Sequence, residues 1–264
     1  MNRATRPGEY PVSSERASAP DRSAGRGAGC APDPAARADG PLLAVTVLIV
    51  AKAPVSGLAK TRLTPPLSPA QAARWAAAAL LDTMDAVLAT PVASRVLAYT
   101  GDLAAAERGA EISGKFADFV VHRQRGHGFG ARLANAHADA ARAGLPVLQI
   151  GMDTPQVTPD LLAASARSLL SGADAVLGPA TDGGWWGLGL PDPRCARILA
   201  DVPMSTPHTG AHTRTALRDC GYRVRLLPTL TDVDRYPDAL GIVDHCTGRF
   251  ADEVHAVAPG PVLR

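Results

Sequence analysis

Residues 44–51 read AVTVLIVA, and residues 52–63, which follow directly, read KAPVSGLAKTRL. The first stretch is a continuous apolar run rich in β-branched residues, which is typical of a strand buried on both faces of a parallel sheet. The second places two lysines and one arginine around a proline and a glycine. It is not a Walker A loop, because Gly57 is followed by Leu-Ala-Lys. Cations placed directly after a buried strand predict a loop that binds phosphates.

Strand and helix patterns alternate along the rest of the chain. Ser68 is a predicted N-cap, with Pro69 at the first helical position and Gln71 completing a capping box. Alternation of this kind predicts a three-layer αβα sandwich with a mainly parallel sheet, and ligands of such sheets bind beyond the carboxyl ends of the strands. The predicted strands are 44–51, 94–101, 118–124, 146–153, 173–180, 185–190 and 222–234, and the predicted helices are 67–88, 129–144, 158–172, 205–221 and 236–246.

Length and composition restrict the class of protein. The 264 residues suit one large α/β domain, which we place at 41–250, between a disordered tail at 1–40 and a C-terminal tail at 251–264. A formal net charge of +2 gives no electrostatic case for a nucleic-acid partner. The four cysteines are far apart and the longest apolar run, 42–51, is too short to span a bilayer. We therefore expect a cytoplasmic protein without a disulfide framework, a zinc motif or a membrane span.

Carboxylates follow three of the later predicted strands. Asp153 comes after the fourth, Asp182 after the fifth, and Asp232 and Asp234 after the last long one. Carboxylates at the same edge as the cations of 52–63 suit a metal–diphosphate ligand, because Mg²⁺ is held by few carboxylates and completed by phosphates and water. Each group also has a structural interpretation, since Asp153 and the Asp182 segment can form turns, Asp232 and Asp234 can cap a helix, and basic loop residues are often only solvated.

Two further segments carry weaker signals. The sequence GHGFG at 126–130 lacks the spacing of a dinucleotide fingerprint, but Gly128 and Gly130 can let the backbone approach a base or ribose, or can belong to a flexible loop. His208 and His212 are four apart on a predicted helix. They can form a metal pair, contact a substrate phosphate, act as acid or base, or lie on a solvated face.

Ser205 and Thr206 precede these histidines and are predicted to cap the same helix. In that position their backbone N–H groups can instead be offered to an anion.

Six motifs occur in a fixed order along the chain, namely KAPVSGLAKTRL, GFGARLANAHADA, IGMDTPQVTPDLL, LGPATDGGWWGLGL, MSTPHTGAHTRTAL and LPTLTDVD. Taken in this order, they resemble the DUF2064 family of the glycosyltransferase-A-like, or nucleotide-diphospho-sugar transferase, superfamily. More distantly, the chain resembles the molybdenum-cofactor and phospholactate nucleotidyltransferases. The chain departs from the family pattern at Ser56, Met204 and the Trp185-Trp186 pair.

The resemblance implies a nucleotide-binding domain that uses Mg²⁺ or Mn²⁺, a nucleotide or nucleotide-sugar donor and a small-molecule acceptor. Asp153 matches the metal ligand of the superfamily, and Asp232 a second ligand or a partner of the cations. The expected catalytic residues are Asp153, Asp182 and Lys60. The other expected site residues are Lys52, Gly57, Arg62, Gly128 and Gly130 for the nucleotide, and Gly183, Gly184, Trp185, Ser205, Thr206 and His208 for the sugar or acceptor.

Three activities agree with these residues. Glycosyl transfer from a nucleotide sugar is favoured by the acceptor segment Asp182-Gly183-Gly184-Trp185-Trp186. Nucleotidyl transfer from a nucleoside triphosphate is the alternative, and the early KTRL segment favours it. A nucleotide-binding module without turnover is the third, although the full set of charged residues argues against it.

Overall fold

A computed structural model describes residues 41–172 and 174–257. The predicted disordered tail at 1–40 lies outside these ranges. Within them the chain forms a seven-stranded sheet of order β3-β2-β1-β4-β6-β5-β7, in which β6 runs antiparallel to both neighbours. The strands are β1 Leu43–Lys52, β2 Val92–Thr100, β3 Val120–Arg123, β4 Val147–Ile150, β5 Ala175–Pro179, β6 Trp185–Leu190 and β7 Val224–Leu226.

Helices cover both faces of this sheet, so the predicted three-layer α/β architecture is confirmed. Short 3-10 turns lie between them, including Thr61–Leu63 after β1 and Pro193–Ala200 after β6. The α-helices are α1 Pro69–Ala89, α2 Gly109–Gly114, α3 Phe129–Ala140, α4 Pro159–Leu170, α5 Thr209–Asp219, α6 Tyr236–Ile242 and α7 Arg249–Val257.

Strand β1 lies in the interior of the sheet, where it is paired along both edges and buried on both faces. It pairs in parallel with β2 on one side and with β4 on the other. Val47 and Ile49 point into one apolar cluster, whereas Leu48 and Val50 point into a second cluster on the opposite face. Alternate residues of a strand face opposite sides of the sheet, so burial on both sides requires the unbroken apolar run that opens the domain.

Helix α1 begins as its sequence predicts. The Ser68 hydroxyl accepts from the Gln71 N–H at 3.2 Å, and the Ser68 N–H donates to the Gln71 side chain at 2.8 Å. These reciprocal bonds satisfy two backbone N–H donors at the helix start. Pro69 has no N–H and therefore needs no partner there. Alanines make most of the buried face, which lets the helix lie close to the sheet.

Four strands, β3, β4, β5 and β7, are shorter than predicted, and β4 and β7 bear on the site. β4 covers only four residues of 146–153, and β7 covers only Val224–Leu226 of 222–234. Pro228 has no N–H and cannot continue a ladder, and its carbonyl accepts from the Trp186 indole at 2.9 Å. The chain returns to the sheet at a single bridge between Ala180 and Leu230. The residues released from both strands form the loops that carry the aspartates.

Helix α7 follows the last predicted helix. It begins beside Asp82 of α1, whose carboxylate accepts from the N–H groups of Arg249 at 3.2 Å and Phe250 at 2.8 Å. Phe250 and Val254 are fully buried in a cluster that includes Trp75 of α1. The boundary expected between residues 250 and 251 therefore falls inside a packed helix, and residues 258–264 lie outside the described ranges.

The described ranges also bear on membrane insertion and cysteine pairing. No helix within 41–172 and 174–257 has the length and apolar composition needed to cross a membrane. Cys195, Cys220 and Cys246, which lie in these ranges, are free thiols.

Candidate active site

An open cavity of about 920 Å³ lies at the carboxyl ends of β1 and β4. This is the edge at which the sequence places the ligand. Its walls are formed by the segments that follow β1, β4 and β5, by the start of α3, and by the loops that precede α5 and α6. The expected site residues that line it are Lys52, Arg62, Asp153, Asp182, Gly184, Trp185, Ser205, Thr206 and Asp232.

Lys60 joins the loop after β1 to two of the acidic segments. Its ammonium donates to Asp153 Oδ2 at 2.5 Å and to Asp234 Oδ1 at 3.2 Å. Only 13% of the side chain is exposed. Burial would lower the pKa of Lys60, but attraction to Asp153 and Asp234 outweighs it and leaves this pKa raised. Lys60 is therefore a fixed positive charge between two carboxylates.

The other two cations of the loop also have partners. Arg62 donates to Asp234 Oδ2 at 2.7 Å from a side chain that is 62% exposed. Lys52 donates to the Leu58 carbonyl at 2.6 Å, within the same loop. Gly57 has φ +74° and gives this loop its turn, and its position is not part of the cavity wall. The loop is thus folded with its charges held close to the sheet edge.

Asp232 is the most perturbed acid of the site. Its Oδ1 accepts from the Thr154 hydroxyl at 2.7 Å. Burial, together with repulsion from Asp153 and then from Asp182, raises the pKa of Asp232 to about 7, against the lowering effects of Thr154 and Lys60. Asp153 and Asp182 are thus close enough at this edge to repel Asp232, with the ammonium of Lys60 among them.

The donor set fits a divalent cation that is completed by its ligand. Among residues 41–172 and 174–257, no three His, Cys, Asp or Glu side chains are grouped so as to hold an ion by themselves. Asp153 and Asp232 supply two carboxylates that repel each other, and a bound cation would relieve this repulsion. Mg²⁺ binds in this way, through one or two carboxylates plus water and substrate phosphates.

The Asp182 turn is held against the start of α5. Asp182 Oδ1 accepts from the Gly184 N–H at 2.8 Å, which is the turn bond expected of an Asp-Gly-Gly segment. Gly183 has φ +88°, and a Cβ there would lie 1.9 Å from the Pro207 carbonyl oxygen. Gly210 of α5 donates its N–H to the Gly183 carbonyl at 2.9 Å. Gly183 therefore positions Asp182 and Gly184 in the wall without lining the cavity itself.

The two tryptophans after this turn have different environments. Trp186 is 1% exposed in the core, where Gly178 makes room for its ring. Trp185 is half-buried, lines the cavity and donates its indole N–H to the Thr213 hydroxyl at 3.2 Å. Fixing the indole at its nitrogen orients the ring, and a ring in a cavity wall can pack on an apolar ligand face.

The segment before α5 differs from its prediction. The helix begins at Thr209 with His208 at the N-cap, so neither Ser205 nor Thr206 is the capping residue. Both line the cavity, and the Thr206 hydroxyl accepts from the His208 N–H at 3.2 Å. Tertiary contact of the helix start with Gly183 moves the boundary. His208 is exposed outside the cavity wall, with its ring centroid 6.3 Å from that of His212.

The glycines before α3 have separate roles. Gly128 is the N-cap residue, with φ +82° and open space where a Cβ would be. At Gly130 a Cβ would lie 2.0 Å from the Leu199 carbonyl oxygen. Gly130 thus allows α3 to pack against the 3-10 turn Pro193–Ala200, which accounts for this glycine without a nucleotide.

Two residues of α3 in the cavity wall are not predicted from the sequence. These are Phe129 and Arg132. Their signal in the sequence is the GFGARL motif, of which only the glycines are predicted to contact a nucleotide. Asp234 is predicted at this edge together with Asp232, but only the fold shows that it pairs with Lys60 and Arg62.

Comparisons with known proteins agree with the fold. The sequence model of the family described as "Uncharacterized protein conserved in bacteria (DUF2064)" matches residues 83–206, which confirms the resemblance there. The segments 52–63 and 232–234 lie outside that match. No functionally curated protein matches the sequence.

Among solved structures, a candidate nucleotide-diphospho-sugar transferase from Desulfovibrio desulfuricans G20 is 24% identical, with a TM-score of 0.66 over 76% of this chain and 87% of that one. A nucleotidyl transferase from Methanothermobacter is 19% identical, with a TM-score of 0.46 over 78% and 98%. A CMP:2-keto-3-deoxy-manno-octonic acid synthetase complexed with CTP is 12% identical, with a TM-score of 0.48 over 81% and 99%. The chain has the nucleotide-diphospho-sugar transferase fold.

Proposed function

We propose that the protein is a divalent-metal-dependent glycosyltransferase that takes a nucleotide sugar as donor and a small molecule as acceptor. The observation that carries the proposal is Lys60, held between Asp153 and Asp234 at the cavity edge with Asp232 and Arg62 beside them. These cations and carboxylates lie on one side of a cavity of about 920 Å³, and a cavity of this volume suits a nucleotide sugar, which supports the proposal.

The reaction moves a sugar from one oxygen to another. The bond between the sugar and the donor diphosphate breaks, a bond forms to an acceptor hydroxyl, and nucleoside diphosphate and a proton are released. Asp153 and Asp232 would hold Mg²⁺ or Mn²⁺, which when bound offsets negative charge on the leaving diphosphate. Lys60 and Arg62 are placed to exchange their carboxylate partners for phosphate oxygens, and fixed charges of this kind are usually a large catalytic contribution.

The acceptor side supports glycosyl transfer in particular. Trp185 presents an oriented ring in the wall next to Gly184, and aromatic faces pack well on the apolar faces of sugars. Asp182 uses only Oδ1 in its turn, which leaves Oδ2 available to a sugar or acceptor hydroxyl.

Nucleotidyl transfer is the second candidate, and a specific observation favours it. Lys60 has φ 49° at the head of the 3-10 turn Thr61–Leu63, and the side chains of Lys60 and Arg62 both reach Asp234 at the ligand edge. A triphosphate bound there would pass its nucleotidyl group to a phosphate of the acceptor and release pyrophosphate. The released product separates the two reactions.

The first experiment is a thermal-shift panel of nucleoside triphosphates and nucleotide sugars with Mg²⁺, Mn²⁺ or EDTA. A ligand in large excess over its Kd adds a few kcal/mol of stability, which is a measurable rise in Tm. Metal-dependent stabilisation by one nucleotide sugar, followed by release of nucleoside diphosphate, supports the proposal. Stabilisation by a triphosphate with release of pyrophosphate supports nucleotidyl transfer, and tight binding without any product indicates a binding module.

A matched pair of variants tests the metal residues. Asp153→Asn should abolish the metal-dependent part of the shift and the turnover while the protein stays folded. Asp160→Asn removes an exposed aspartate of α4 and should change neither. Normal metal-dependent turnover by Asp153→Asn would show that the metal assignment is wrong.

A further inference from the structure

Arg132 has an unusual environment for a charged residue. It lies one turn into α3 and lines the cavity. Its Nε is enclosed by the protein but has no hydrogen-bond partner among residues 41–172 and 174–257. The ring centroid of Phe129 lies 5.6 Å from the guanidinium carbon. Within the same ranges no carboxylate forms an ion pair with it, whereas Lys60 and Arg62 both have carboxylate partners.

An enclosed donor without an acceptor destabilises the folded chain. Arginine cannot relieve this cost by losing its proton, because its pKa is too high. The ring of Phe129 attracts the positive charge but does not replace a hydrogen-bond acceptor for Nε–H. Most enclosed polar groups in folded proteins have partners, so an orphaned one in a cavity wall indicates a partner that arrives with a ligand.

The packing of α3 places Arg132 on the acceptor side of the cavity. Gly130 brings the helix against Leu199, and Leu133 joins Leu199 in one core cluster. Trp185 and Met204 pack against that same cluster. The metal and phosphate residues come instead from the loops beyond the ends of β1 and β4 and before α6. Arg132 thus comes from a different element than the metal and phosphate residues, and α3 packs beside the wall proposed to meet the acceptor.

We propose that Arg132 binds an oxyanion, a phosphate or a carboxylate, carried by the acceptor. A guanidinium matches the planar geometry of either group and can donate two parallel hydrogen bonds to it. The proposal rests on the proposed function in one respect, since the word acceptor assumes a transfer reaction. It narrows the acceptor to an anionic small molecule whose apolar face can lie near Phe129 and Trp185.

Binding measurements with simple anions test this. Mg²⁺ and pyrophosphate are first added to fill the donor phosphate positions. Inorganic phosphate or lactate is then titrated by calorimetry into the wild-type protein, Arg132→Met, Arg132→Lys and Arg167→Met. Arg167 is an exposed residue of α4 outside the cavity, so its variant controls for the loss of one positive charge. Circular dichroism and Tm establish that each variant is folded.

We expect one of the two anions to bind the wild-type protein, and Arg132→Met to weaken it by about tenfold or more, as loss of a charge-assisted hydrogen bond predicts. Arg132→Lys should recover part of the affinity. Pyrophosphate affinity should stay within about twofold in all variants, since Arg132 comes from α3 and not from the loops that carry Lys60 and Arg62. Whichever anion depends on Arg132 identifies the oxyanion as phosphate or carboxylate.

Two outcomes overturn the proposal. One is binding of neither anion in a way that depends on Arg132. The other is an equal loss of pyrophosphate and of the second anion in Arg132→Met, which would assign Arg132 to the donor. Anion binding that depends on Arg132 without any binding of pyrophosphate would leave the anion site intact and contradict the transferase function.

Discussion

At the scale of single residues, Lys60 determines how the acidic edge is neutralised. Its ammonium lies 2.5 Å from Asp153 Oδ2, so a divalent cation on the same oxygen would be repelled by this neighbouring positive charge. Under the proposed assignment, Lys60 would compete with the metal for Asp153 until an anionic ligand paired with the ammonium. Binding of the metal together with a diphosphate would avoid this competition, because the phosphates would offer Lys60 a new partner.

This competition predicts the effect of removing Lys60. Lys60→Met should bind free Mn²⁺ at least about tenfold more tightly than the wild-type protein, because one neighbouring positive charge is lost from a partly buried site. The affinity is measured by electron paramagnetic resonance of unbound Mn²⁺ in the absence of nucleotide. Nucleotide affinity should change in the opposite direction.

Lys52→Met is the matched control, since it removes an equal charge from the same loop but from a lysine bound to the Leu58 carbonyl. It should alter Mn²⁺ affinity much less than Lys60→Met. Equal effects of the two variants would mean that only the net charge of the cavity matters, and the competition at Asp153 would be refuted.

At the scale of elements, the Asp182 turn and the start of α5 form one unit. Gly183 has two requirements at once, a positive φ and space for the Pro207 carbonyl. Gly221 has a similar φ of +86° but open space around the missing Cβ. Alanine substitutions at Gly183 and Gly221 therefore separate the cost of a left-handed backbone conformation from the cost of the close approach to Pro207.

We predict that Gly221→Ala lowers the free energy of unfolding by about 1–2 kcal/mol, the cost of a left-handed conformation for a residue with a Cβ. Gly183→Ala should lower it by clearly more, because the turn must also move away from Pro207. That movement displaces Asp182 and Gly184 from the wall, so ligand binding should fall as well. Urea denaturation of both variants measures the difference, and equal losses would contradict the prediction.

Helices α1 and α7 are likewise held together by a contact between elements. Asp82 caps α7 from another helix through two backbone N–H groups, and its side chain is only 10% exposed. Asp82→Ala should lower the free energy of unfolding by about 2 kcal/mol or more, because it removes a cap and charge-assisted hydrogen bonds. Asp160→Ala, in the exposed first turn of α4, should cost less than about 1 kcal/mol.

Limited proteolysis distinguishes loss of this cap from general destabilisation. Cleavage within 249–257 should increase in Asp82→Ala before the rest of the domain opens. Protection of that segment equal to the wild-type would show that burial of Phe250 alone holds α7 in place.

At the scale of the whole molecule, the parts predicted from sequence are those whose causes are local. The apolar run of β1 and the capping box of Ser68 and Gln71 each contain their own explanation within a few residues. The direction of β6 has a local cause in the tight Asp182 turn after β5, but the place of β6 in the sheet does not, because it depends on pairing with β4, which is distant in the chain. Likewise, α7 needs Asp82 as its cap, which no nearby sequence indicates.

The same distinction applies to the site. The edge and its charge types follow from the order of strands, so Asp153, Asp232, Lys60 and Arg62 could be named from the sequence. Their partners could not, because ion pairs such as that of Lys60 with Asp234 join residues 174 positions apart. The location of Arg132 in the wall depends similarly on how closely α3 approaches Leu199.

A buried histidine joins helix α3 to strand β4, and its titration makes the free energy of unfolding depend on pH. His137 of α3 is fully buried, and its Nε2 lies 3.0 Å from Gln149 Oε1 of β4. Burial lowers the pKa of His137 to about 4, although the bond to Gln149 opposes the shift. An unfolded histidine titrates near 6.5. The unfolded state therefore takes up a proton first as the pH falls, and stability is lost between pH 6.5 and about 4.

The contribution of His137 to this loss approaches about 1.4 kcal/mol per pH unit across that window. Asp232 acts in the opposite direction, because its pKa of about 7 lets the folded state take up a proton before the unfolded state does. His137→Gln keeps a polar partner for Gln149 but cannot titrate, so its free energy of unfolding should fall less steeply than that of the wild-type protein. His255→Gln, an exposed histidine of α7, should follow the wild-type curve. Urea denaturation at pH 7.5, 6.5, 5.5 and 4.5 measures all three, and parallel curves for the wild-type protein and His137→Gln would show that His137 is not the titrating group.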